Sequence, residues 1–149
     1  MTPIPAIINA IVSALRATPT LVSALGSPDQ IVAYTDDATA HRSLNEATHE
    51  LRTGDLLVAY MGLVQGARGD LTGWKHQLAI FFQPNDEAQA HSIIGALVSG
   101  VPNGSPVALQ YAQIHAALDP MDNIVFARSS NAEGIEFWTC TFSLAEVWS

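Results

Sequence analysis

Positive charge is scarce in this chain. Six Lys and Arg stand against 14 Asp and Glu, a formal net charge of −8, and no basic run occurs anywhere. A surface of that sign repels phosphate, which disfavours non-specific binding to DNA or RNA. Charge of either sign is in short supply: 13% of the 149 residues carry one, against about 25% in a typical soluble domain. With 48% of residues apolar, much of the surface must be small, polar and uncharged, or else hidden against other subunits. The second option fits an obligate oligomer, whose interfaces resemble a core cut in half. Cysteine occurs once, at Cys140, which excludes an intramolecular disulfide and a Cys-based zinc site and suits a reducing compartment. Long apolar runs are missing too: none reaches the roughly 18 residues of a membrane span. The Met1-Thr2-Pro3 start lacks the basic segment of a signal peptide. Repeats, low-complexity tracts and long linkers are absent, so the expectation is one soluble cytosolic domain over 1–149, long enough to bury a core unaided.

What is present is periodic. Thr2 and Pro3 make a helix start, and Ile4, Ile7, Ile8, Ile11, Val12 and Leu15 fall on one helical stripe. Pro19 ends or kinks that helix, and a further turn with Leu21, Val22 and Leu25 stops at Gly26. Residues 31–34 are a short strand candidate, and Ser43-Leu44-Asn45-Glu46 is a capping box that predicts a short helix to about Leu51. Residues 56–61 are apolar on both faces, as in a central strand, and 62–73 read as a hairpin loop around Gly66, Arg68, Gly69 and Asp70. The return strand alternates, with Trp74, His76, Leu78, Ile80 and Phe82 on one face. Pro84-Asn85-Asp86 opens a helix burying Ala90, Ile93, Ile94 and Leu97, ended by Gly100 and Pro102, and 107–114 are a further strand candidate. The final stretch reads as a hairpin of strands over 124–128 and 135–147, the second unusually long, with Trp138, Cys140, Phe142 and Leu144 on one face. The order predicts an α+β domain: a mostly antiparallel sheet with helices packed on one face.

No constellation spells out an enzyme. Glu46 and His49 have the i, i+3 spacing of carboxylate-bridged metal helices, but such sites need a second copy, and the capping box already explains Glu46. His41, His49, His76, His91 and His115 are scattered, with no H-E-x-x-H and no Gly-bracketed serine. His76, on the apolar face of its strand, reads as a hydrogen-bonded core or edge histidine rather than a general base. Asp36, Asp37, Asp119 and Asp122 suit turns and caps. Cys140 lacks a basic neighbour and reads as a small buried hydrophobe. Gly62, Gly66 and Gly69 lack the lysine and strand–turn–helix setting of a phosphate loop. Trp74, Trp138 and Trp148 would form a stacking platform only if they converge; the first and second occupy core-facing strand positions, which leaves Trp148 either as a contact residue or as one packed on the domain's own edge. No cofactor, metal or membrane partner is expected.

Five blocks in order carry a resemblance. They are the N-terminal helix with Pro19-Thr20-Leu21-Val22; the Gly54-Asp55-Leu56-Leu57-Val58 strand; Gly73-Trp74-Lys75-His76-Gln77 running on to Phe82; the helix over 93–101; and Leu118-Asp119-Pro120-Met121-Asp122 with the closing strand over 136–147. The set resembles the tail terminator proteins of long-tailed bacteriophages, also called tail-completion or tail-to-head joining proteins, and covers nearly the whole chain. The resemblance implies a non-enzymatic virion structural protein, made in the host bacterial cytoplasm, that forms a six-membered ring at the head-proximal end of the tail. Such a ring stops growth of the major tail tube protein and meets the head–tail connector or stopper, with DNA only as passing cargo. A net-negative chain lining a channel would let DNA pass without adhering. Met61, Leu63, Val64 and Leu71 of the hairpin, together with Trp148, are the expected interface, because a monomer disfavours apolar residues at a loop tip. Two alternatives are a head–tail stopper or neck protein, which shares parts of this layout, and a small-ligand-binding α+β module. A third, a small hydrolase built on His76 or His115 with a nearby carboxylate, lacks a nucleophile in the right setting.

Overall fold

The computed structural model describes residues 3–33, 53–65, 74–98, 122–130, 134 and 136–146. The expected helix over 43–51, the strand candidate over 107–114, Thr2, Tyr34, Leu71, Trp148 and the histidines 41, 49 and 115 lie outside these residues, as do Asp36, Asp37 and Asp119.

Helix α1 (Ile4–Arg16) begins on Pro3, with Pro5 in its first turn and no side-chain cap. Both prolines stand where a helix has no acceptor for an N–H, so neither leaves a bond unmade. The expected stripe is buried at Ile7, Ile8, Ile11, Val12 and Leu15. Helix α2 (Pro19–Leu25) departs at 83° from α1. The break falls at Thr18, which is extended ahead of Pro19 and whose hydroxyl donates to the Ala14 carbonyl at 2.9 Å. Gly26 closes α2 at φ 106°, a left-handed conformation in which its N–H donates to Val22 O at 2.7 Å. Arg16 reaches back from the last turn of α1 and donates from Nε and Nη2 to the Ile31 carbonyl at 3.1 and 2.7 Å. That fastens the helix to strand β1 (Ile31–Ala33).

Four more strands follow: β2 (Leu56–Gln65), β3 (Trp74–Phe82), β4 (Asp122–Ser130) and β5 (Glu136–Ala145). The sheet order is β1-β2-β3-β5-β4, parallel between β1 and β2 and antiparallel elsewhere. Helix α3 (Glu87–Val98) lies between β3 and β4 in the chain. Its start matches the reading of Pro84-Asn85-Asp86: Asp86 Oδ1 accepts from Gln89 N at 2.7 Å, while Gln89 Oε1 accepts from Asn85 N at 2.6 Å. Gln89 Nε2 also donates to Ala24 O at 3.2 Å, tying α3 to the end of α2. The described chain is thus α+β with a mostly antiparallel sheet.

Side chains from all three described helices meet Leu56, Val58, Tyr60, Leu78, Ile80, Phe82, Cys140, Phe142 and Leu144 in one buried cluster. Leu57, Ala59, Ala79, Phe81 and Phe137 form a second cluster on the opposite sheet face. Strands β2, β3 and β5 are therefore buried on both faces along much of their length, which is why their sequences carry long apolar stretches. The C-terminal hairpin forms as its alternation predicts, but β5 is not the outer strand. It lies between β3 and β4.

The expected loop over 62–73 is corrected at its start. Strand β2 continues through Gly62 to Gln65, with Gly62, Leu63, Val64 and Gln65 opposite Gln77, His76, Lys75 and Trp74. A bulge between Tyr60 and Gly62 absorbs Met61. One extra residue shifts the alternation, so Leu63 shares the helix-side face with His76 while Val64 shares the other face with Lys75. Gly62 looks like a breaker in the sequence; here it is the residue after a bulge.

Candidate functional site

Three strands converge on His76. Tyr60 comes from β2 just before the bulge, His76 from β3, and Glu146 from the residue that follows β5. The Tyr60 hydroxyl lies 2.8 Å from His76 Nδ1, and His76 Nε2 lies 2.7 Å from Glu146 Oε1. A carboxylate only accepts, so Nε2 carries the hydrogen and donates to Glu146, and in the neutral ring Nδ1 accepts from the phenol. His76 is 1% exposed and Tyr60 3%. The Glu146 N–H donates to Trp74 O at 3.0 Å, so the residue is held through backbone and side chain alike.

The order carboxylate–imidazole–hydroxyl is that of an activated nucleophile. The environment works the other way. Burial, and after it the charge of Glu146, pushes the Tyr60 phenol from 10.0 up to about 12. A buried phenol held protonated is a poor nucleophile, and the geometry describes a clamp joining β2, β3 and the end of β5. Burial likewise pushes the Cys140 thiol from 9.0 up to about 12, consistent with its reading as a small buried hydrophobe.

An alkaline titration follows from these shifts. Both groups have folded values raised above unfolded ones, so their stabilisation is complete below pH 9 and is lost as pH rises through about 12. The thermal midpoint of the wild type should fall over that window. Tyr60→Phe should flatten the part above pH 10, where the phenol titrates. Parallel curves for the two proteins would remove Tyr60 from the effect.

An open groove of about 240 Å³ lies elsewhere, lined by Pro84, Asp86, Glu87, Arg128, Glu136 and Trp138 among others. It is smaller than the roughly 300–1,000 Å³ of small-molecule sites. Arg128 bridges it to the Glu87 carboxylate and lies 4.8 Å from the centre of the Trp138 ring. The other side of that ring stacks on Phe82 at 6.3 Å and 4°. Trp138 is thus already sandwiched. Trp74 is opposite Gln65 at the far end of β3, about 27 Å away along the strand, so these tryptophans share no platform.

The expected interface residues separate in the structure. Met61 is the bulged residue, packed against the second cluster, whereas Leu63 and Val64 are 40% and 44% exposed. Leu71 and Trp148 fall outside the described residues. Tyr60 and Glu146 were not singled out in the sequence, and no local pattern marks them, because His76 and Glu146 are 70 positions apart. Among the described residues no group of three or more potential ligands is placed to hold a metal ion, and no single helix is long and apolar enough to cross a membrane. The chain matches no protein-family model and no curated protein.

Proposed function

We propose that this protein is a tail terminator: a subunit of a ring that caps the head-proximal end of a phage tail tube and joins it to the head connector. The resemblance of its five ordered blocks to that family suggests the role. The observation that carries the assembly part is the ribbon beyond the bulge. It holds two large apolar side chains, Leu63 and Val64, about two-fifths exposed and on opposite faces. Apolar groups exposed on both faces at the end of one strand suit a subunit whose neighbours cover them better than a solitary domain. The low charge content supports the same reading.

Localisation tests it. A labelled copy imaged on intact virions should decorate the junction of head and tail alone. Label along the tube, or none on the virion, would end the proposal. The ribbon has its own test. Leu63→Asp with Val64→Asp places charges at exposed positions, so the thermal midpoint should shift by no more than a few degrees while tail completion is lost. Normal tail completion by the double variant would take the ribbon out of the interface.

A further inference from the structure

Among the described residues, the sheet has two open edges that match each other. At one side β4 is the outermost described strand, and its second-face residues Val125, Ala127 and Ser129 carry no charge. Val125 is 54% exposed. At the other side the described residues of β1 cover β2 from Leu56 to Val58. Among the described residues, the outer edge of 61–65 therefore has no strand beside it. Isolated domains guard such edges with inward-pointing charges or lysines, because unpaired N–H and C=O groups recruit other strands. The only charged residue of β4 after its bulge is Arg128, and it is engaged on the helix side with Glu87 and Trp138.

We propose that β4 of one copy pairs with residues 61–65 of the next, continuing the sheet from subunit to subunit. This rests on the ring reading and names its contact. Strand directions favour a second copy as the occupant. β2 and β5 run one way, β3 and β4 the other. A neighbour in the same orientation therefore meets β4 with an antiparallel β2, the stronger pairing. Register favours it as well. Val125 is level with Ala79 through Thr141, and Val64 is level with Lys75. The two valines lie on the same sheet face, and a stagger of four residues, Lys75 to Ala79, brings them opposite each other. Four is even, so the apolar faces stay in register. Two different edges in contact make a heterologous interface, which closes into a ring when the rotation permits.

Cysteine pairing reads this contact in the full chain. Directly opposed residues have Cβ atoms about 4.5–5.5 Å apart, close enough for a disulfide after a small adjustment. Val64→Cys with Val125→Cys should give a ladder of linked species under mild oxidation, while either single variant stays unlinked. The buried Cys140 is no competitor. Val125→Lys should retain the wild-type thermal midpoint and lose oligomers in light scattering. A linked dimer from either single variant would mean like edges meet, and this pairing would be overturned. Oligomers in light scattering with no ladder would overturn it too, yet leave ring assembly standing. Monomers at every concentration with no ladder would remove this contact as a self-association, while labelling of the virion junction still judges the terminator reading separately.

Discussion

Truncation after Ala132 should leave a protein that does not fold. The deletion removes β5, which lies between β3 and β4, so the sheet loses an interior strand and β4 loses its only described partner. Phe137, Cys140, Phe142 and Leu144 leave the two core clusters with it. Each large apolar side chain is worth roughly 1.5–3 kcal/mol, and their sum rivals the whole stability of a typical domain, about 5–15 kcal/mol. The truncated chain should collect in the insoluble fraction or show a disordered circular dichroism spectrum. A soluble, cooperatively melting product would mean that the helices with β1–β3 form an independent unit. The companion variant lacks only Trp148 and Ser149. If Trp148 is a contact residue, that variant melts like the wild type and fails to complete tails; a lowered midpoint would assign Trp148 to the packing of the domain itself.

His76→Ala should be the most damaging single substitution at a polar residue. It takes an acceptor from the Tyr60 hydroxyl and one donor from Glu146 together, and leaves both groups beside a new void. Leaving a buried polar group without a partner costs about 1–3 kcal/mol, more for a carboxylate, and two such groups with the void bring the loss to about 3 kcal/mol. A loss of about 3 kcal/mol lowers the midpoint by roughly 6–12 °C in a chain of this size. Tyr60→Phe deletes one neutral hydrogen bond and should cost about 1 kcal/mol. A double-mutant cycle between His76 and Glu146 should return a coupling well above that of a surface ion pair. Additive losses in the cycle would mean that the clamp contributes no more than its separate contacts.

The elements legible in the sequence were those specified by a local period. The α1 stripe, the alternation of β3 and the buried side of α3 each follow from residues within one element. Gly26 was legible because a helix end needs a left-handed residue there. The illegible features are long-range. Nothing near Glu136 announces that β5 lies inside the sheet, although its burial on both faces at Phe137, Thr139, Cys140, Phe142 and Ser143 is the trace such a position leaves. The continuation of β2 past Gly62 was hidden by the bulge, which breaks the alternation that would have revealed it. The sequence marks His76 as a hydrogen-bonded core residue but not its partners, because a strand face says which way a side chain points and not what waits there.

The place of β5 also governs the order in which the molecule can be built. The interior strand is the last of the five to leave the ribosome. The 70 positions between His76 and Glu146 take roughly 4–14 s to synthesise at about 5–20 residues per second. During that interval the β2–β3 hairpin has an unfilled edge where β5 belongs, and β4, made late in it, precedes its one described partner. Nascent chains on one polysome are crowded at that stage, and an early β4–β5 hairpin from a neighbour fits the same slot. Exchange of that hairpin between molecules is therefore the misassembly this topology predicts, and slow, cool expression with few ribosomes per message should limit it.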